Sequence, residues 1–310
     1  MLEALPWIVV VMALVAVPTG IVLCHKRVSR WVALSVIVYL INAVFAAWYL
    51  APWDYWSYWL YLVFCAIAVI GVVACLIKMR NAGWRRPNWA GFVGAVLTLV
   101  GGAYLMMQNV LATAARTEPS NAIDLQSPLR NGTFKVVQGG TAPPLQTGHA
   151  GVPSQRYAVD LVKLNSSLRI TSPYLDTQNF ESHAIWEEPV YSPCDGAVVW
   201  SRDGIEDTSE LDLKRPAGNV VGIDCQGVTV MLAHLREGSV AVQQGDSVAV
   251  GQLLGTIGMS GRTFGPHLHM HAEQGPLKQD FSDNAPVAFT LDGRFPYTGL
   301  IMAIPEKTVN

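Results

Sequence analysis

A chain of 310 residues that is 51% hydrophobic and only 14% charged is too apolar for an ordinary soluble enzyme, yet long enough for a membrane section and one full globular domain. Up to Ala112, seven Lys/Arg stand against two acidic residues, a balance of +5; beyond it 14 stand against 21, a balance of −7. An acidic C-terminal part repels phosphate backbones, which argues against nucleic acid as a partner.

Four apolar stretches come first, at residues 5–24, 31–50, 56–77 and 89–111. Each is close to the ~20 residues that a helix needs to cross ~30 Å of hydrocarbon. No Asp, Glu, Lys, Arg or His falls inside any of them, which argues against a transporter or channel and for a four-helix membrane anchor over residues 1–112. Trp53, Tyr55, Trp56, Trp84 and Trp89 crowd the segment ends, as interfacial belts do. Lys26, Arg27 and Arg30 occupy the first connection and Lys78, Arg80, Arg85 and Arg86 the third, whereas the second has only Asp54. Positive loops stay in the cytoplasm, so the N-terminus and everything beyond Ala112 are expected on the outer side of the cytoplasmic membrane. The first stretch does not read as a cleavable signal, because its cations follow the apolar run instead of preceding it.

Residues 113–130 are polar, carry Pro119 and Pro128, and read as a linker. From Asn131 to the end, short runs such as "TFKVVQGG", "GAVVWSRDG" and "NVVGIDCQGVTVMLAHL" alternate with period 2 between turn residues. That texture predicts a mainly antiparallel β-domain over 131–310. Cys24, Cys65 and Cys75 lie in the apolar stretches and are expected as small packing residues. Cys194 and Cys225 lie in the outer part, where an oxidising exterior permits a disulfide; the sequence leaves their pairing open.

Six of the seven histidines, His149, His183, His234, His267, His269 and His271, belong to the β-domain. In "GPHLHMHAE" three alternate, and alternate residues of a strand share a face. Three cations on one face repel unless a metal or partner keeps some imidazoles neutral. His183 sits in a polar stretch and is expected in solvent, as is the strand carboxylate Glu273.

"LAHL" at 232–235, followed by "GDSVAVGQLLGTIGMSGRTFGPHLH", resembles the second half of the M23 (LytM/lysostaphin-like) peptidase domain, and "PVYSPCDGAVV" and "GNVVGIDCQG" resemble its first-half elements. The likeness runs over roughly half the chain and implies a zinc-dependent endopeptidase of the cell envelope, with peptidoglycan peptides as substrate. It implies His269 as a zinc ligand, Asp160 of "QRYAVDLVKLN" as the carboxylate ligand, and His234 and His267 as catalytic flanking groups. One position departs from the pattern: Arg156 stands where the family has its first histidine ligand, and a guanidinium offers no lone pair. His149, flanked by Gly148 and Gly151, is the candidate to replace it; the alternative is a site that has lost a ligand. Arg156 and His271 remain as candidates for substrate contact or support of the ligands. A non-catalytic scaffold or activator of another wall hydrolase is the rival reading, favoured by Arg156 and opposed by the retained histidines.

Overall fold

Away from water a chain must satisfy its backbone N–H and C=O groups internally, and the apolar stretches do so as helices. The structure is a computed structural model that describes residues 5–26, 28–84, 86–171, 179–275 and 284–305, the side chains of residues 5–7 excepted. The chain divides after Leu111 into two units.

The first unit contains α1 (Leu5–Cys24), α2 (Arg30–Leu50), α3 (Trp53–Trp56), α4 (Tyr58–Arg80) and most of α5 (Trp89–Ala115). Among the described residues, α2, α4 and α5 are long and apolar enough to cross a membrane, while the measured part of α1, Ile8–Cys24, is shorter. Among the described residues, three of the four expected spans therefore meet the requirement. The connection expected as a plain loop around Asp54 holds the short α3, whose Trp53 indole is buried and donates to the Ala47 carbonyl at 2.6 Å. Polar ties link α2 and α5: the Asn109 amide donates to the Asn42 carbonyl at 3.1 Å, and the Tyr49 hydroxyl donates to Asn109 Oδ1 at 3.0 Å. Such side-chain bonds hold helices together where the lipid offers no competing partner.

The second unit is built of β1 (Ile123–Leu125), β2 (Gly132–Gln138), β3 (Val159–Leu164), β4 (Pro189–Tyr191), β5 (Gly196–Arg202), β6 (Asn219–Cys225), β7 (Val228–Leu235), β8 (Ser247–Val248), β9 (Leu253–Thr256), β10 (Leu268–Gln274), β11 (Pro286–Val287), β12 (Phe289–Leu291) and β13 (Ile301–Ile304). The main sheet runs β13-β2-β3-β10-β7-β6-β5-β8 with antiparallel neighbours, and β11 adds to β10. Part of the stretch expected to be a linker joins this fold: β1 pairs in parallel with β12, and Leu125 and Leu129 enter the core. Cys194 and Cys225 form a disulfide with Cα atoms 6.0 Å apart, tying the approach to β5 to the end of β6.

Period-2 alternation sorts the sheet into two faces. Leu161, Leu232, Val230, Leu268, Met270 and Ala272 point into the main apolar core, each large side chain contributing about 1.5–3 kcal/mol on burial. The opposite face carries Asp160, His269, His271 and Glu273 beside a smaller apolar cluster of Val220, Met231 and Ala233.

Candidate metal centre and its flanking histidines

Register places the centre. His269 on β10 lies opposite Asp160 on β3, so both side chains leave the same face, and His269 Nδ1 stands 2.9 Å from Asp160 Oδ1. A third group arrives from the loop between β2 and β3. There His149 Nε2 lies 3.4 Å from Asp160 Oδ2. Donor atoms of His149, Asp160 and His269 fall within 4.8 Å of one another, a cluster that could hold a metal ion.

Two glutamines carry His149 to that place. Gln138, opposite Asp160 across a bulge in β2, accepts at Oε1 from the Thr147 and Gly148 backbone N–H groups at 3.2 and 3.0 Å. Gln146 is fully buried, its Nε2 donating to the Ala158 carbonyl and its Oε1 standing 3.1 Å from His149 Nδ1. An amide oxygen can only accept, so the His149 proton sits on Nδ1 and its Nε2 lone pair faces Asp160.

The flanking pair is held in the same manner. His267 Nδ1 donates to the Gly265 carbonyl at 2.8 Å, leaving Nε2 3.5 Å from Asp160 Oδ1. His234 Nδ1 donates to the Ser260 carbonyl at 2.8 Å. Its ring centroid lies 4.8 Å from that of His267 and 5.8 Å from that of His269. In a regular strand His234 would face away from Ala233 and therefore from His269. Instead it is the extra residue of a bulge between Asn219↔Leu235 and Val220↔Ala233, with φ +63°, and this brings its ring to the site. Gly218, at φ +61°, lies so close to Ser260 that a Cβ there would overlap its carbonyl oxygen, the acceptor that anchors His234.

Burial opposes charge on these imidazoles, and their neighbours decide the outcome. Burial lowers His149 from 6.5 to about 4 against the pull of Asp160. Burial likewise lowers His234, reinforced by His267 and His269, and lowers His269 despite Asp160. His267 is raised, because Asp160 overcomes the effect of burial. Burial alone would raise Asp160, but His267, His149 and the close ring nitrogens of His267 and His269 hold it well below its usual range. An ionised, buried carboxylate faced by lone pairs and neutral rings is a donor set that suits a divalent cation.

His271 is buried at 1% exposure behind His269, a place for support of the ligands and not for substrate contact. Two expectations are corrected. Glu273 is fully buried instead of solvated, because β10 lies inside the sheet. His183 is buried too, following the short turn Phe180–Ser182 and pairing its backbone with Thr171 in an isolated antiparallel bridge. Arg156 is exposed, its guanidinium 5.6 Å from the Tyr157 ring, and it does not join the cluster. Sequence reasoning missed Gln138, Gln146 and Ser260. Ser260 lies within the segment that carries the resemblance and Gln138 at the end of the run "TFKVVQGG", but neither spacing nor alternation marks them as anchors of the site.

A β-sheet face carrying a His/Asp cluster that could hold a metal ion, with two flanking histidines able to exchange protons beside it, is a donor set suited to hydrolysis. Residues 180–281 match Peptidase family M23; His149 and Asp160 lie outside the matched segment. Peptidoglycan DD-endopeptidase ShyA of Vibrio cholerae is 39% identical over 82 residues, covering 26% of this chain and 16% of that protein. A zinc containing peptidase from Vibrio cholerae is 22% identical, with 53% of this chain and 41% of that chain covered at a TM-score of 0.31. A mutant catalytic domain of the prophage-encoded M23 protein EnpA from Enterococcus faecalis is 20% identical, with 52% and 93% covered at a TM-score of 0.32.

Proposed function

We propose that this protein is a membrane-anchored zinc endopeptidase that hydrolyses peptide bonds of peptidoglycan on the outer side of the cytoplasmic membrane. The observation that carries the reading is the convergence of His149, Asp160 and His269 on one face of the sheet, with His234 and His267 beside them. His149 Nε2, an Asp160 oxygen and His269 Nδ1 would hold the zinc, which when bound supplies Lewis acidity toward a water molecule and a scissile carbonyl.

The remaining chemistry belongs to the chain. His234, kept neutral by burial and aimed by the Ser260 carbonyl, accepts the proton of the attacking water at Nε2. His267, whose protonated form Asp160 favours, donates from Nε2 to the oxyanion that develops on the carbonyl. Two like groups with opposed protonation thus divide the base and acid roles. Arg156, exposed and outside the cluster, is available to a substrate carboxylate.

The match to a DD-endopeptidase supports peptidoglycan as the substrate. Retention of both flanking histidines weighs against a scaffold. Purified full-length protein in detergent should release peptide fragments from isolated peptidoglycan, and His234→Ala should slow that release about 10²–10⁴-fold while zinc stays bound. Full turnover by the variant would refute the assigned base, and no turnover by zinc-loaded wild type would favour the scaffold.

We further propose that α1 crosses the membrane with α2, α4 and α5. Its 20 residues contain no charged side chain and span about 30 Å as a helix. With the cationic connections inside, four crossings put the β-domain outside. Protease added to intact spheroplasts should then degrade the β-domain; protection until lysis would reverse the orientation.

A further inference from the structure

Behind His269, away from Asp160, three groups form a buried row that the proposed catalysis does not use. His269 Nε2 lies 3.0 Å from His271 Nδ1, and His271 Nε2 lies 3.7 Å from Glu273 Oε2. Asn284 Nδ2 donates to Glu273 Oε1 at 3.0 Å. The row exists because residues 269, 271 and 273 alternate along one strand and share its face.

A neutral imidazole carries one N–H, so each assignment fixes the next. The Glu273 carboxylate favours the His271 proton on Nε2, the nitrogen that faces it. A lone pair there would set two acceptors against each other in a buried site. His271 Nδ1 is then an acceptor, and His269, 3.0 Å away, must present its proton on Nε2. That leaves a lone pair on His269 Nδ1, aimed at Asp160 Oδ1 from 2.9 Å. Two acceptors facing one another at this distance are reconciled by a cation between them.

We infer that His271 and Glu273 are positioning residues: together they fix the His269 tautomer and turn its Nδ1 lone pair toward the metal site. The inference rests on the zinc reading of His149, Asp160 and His269. Glu273 acts only through His271, and neither touches substrate or metal.

The test is zinc affinity of the full-length protein in detergent, measured by competition with a chromophoric chelator. His271→Phe keeps the bulk of the ring but removes the acceptor, and should weaken zinc binding about 10–100-fold. His271→Asn restores an acceptor toward His269 and should recover most of that loss. Glu273→Gln removes the charge that sets the order of protons and should weaken binding about 10-fold. It also keeps the test available if His271→Phe does not fold. Melting of the chelated proteins separates affinity from folding, and a positioning role predicts no parallel loss there. Wild-type affinity in both His271→Phe and Glu273→Gln overturns the inference alone, as does a His271→Asn protein as weak as His271→Phe. A wild-type protein that binds no zinc overturns the metal-centre reading and this inference with it.

Discussion

His234 adopts φ +63°, a left-handed conformation costly for any residue with a Cβ. It persists because the Ser260 carbonyl, the Gly218 turn and the β7 bulge hold it there. The histidine burial that prepares the site also makes the metal-free protein sensitive to acid. His149, His234 and His269 have lowered pKa values in the folded state, so the unfolded chain binds more protons. For bases depressed in this way, stability is present above the ordinary value of 6.5 and is lost as pH falls through the folded values, near about 4 for His149. His267, raised by Asp160, contributes in the opposite sense, but three groups oppose one. Chelated full-length protein should melt at a lower temperature at pH 5 than at pH 7.5; equal or higher melting at pH 5 would contradict this account of burial. The pattern H-x-H and the carboxylate of "QRYAVD" were readable in the sequence because strand alternation and family spacing locate them directly. The burial of Glu273 was not, since alternation reports which face a residue takes and not whether that face is covered.

The β2–β3 loop is where one element delivers a residue across a gap that the sequence could not measure. In the proposed centre His149 takes the ligand place that Arg156, without a lone pair, cannot fill, and Gln138 and Gln146 fasten its loop to the sheet. Gln146→Leu should therefore weaken zinc binding about 10-fold by freeing the His149 ring. It should also lower stability by about 1–3 kcal/mol, since the buried Ala158 carbonyl loses its side-chain donor. Chelator competition and thermal melting check the two effects, and unchanged zinc affinity would show that the loop holds His149 without Gln146. Elements with strong periodicity, such as β7 and β10, were legible in advance. β1 and α3 were not, because three- and four-residue segments flanked by Pro and Ser carry too little pattern to separate them from a loop.

At the scale of the molecule, apolar helices and a β-sheet domain meet in one chain, and each part was visible in composition before its structure. Among the described residues, length and hydropathy admit α2, α4 and α5 as membrane spans. The apolar core runs from Leu125 to Ile304, large enough for sheet packing to hold a domain of this size, so in the proposed zinc centre the metal serves chemistry more than folding. The central claim is that His149 completes a zinc centre with Asp160 and His269. Its most direct test is the zinc content of full-length protein purified in detergent, beside its His149→Ala variant. The account predicts near-stoichiometric zinc in the wild type and a sharp loss in the variant. A variant that keeps its zinc, or a wild type that has none when supplied with the metal, would contradict it.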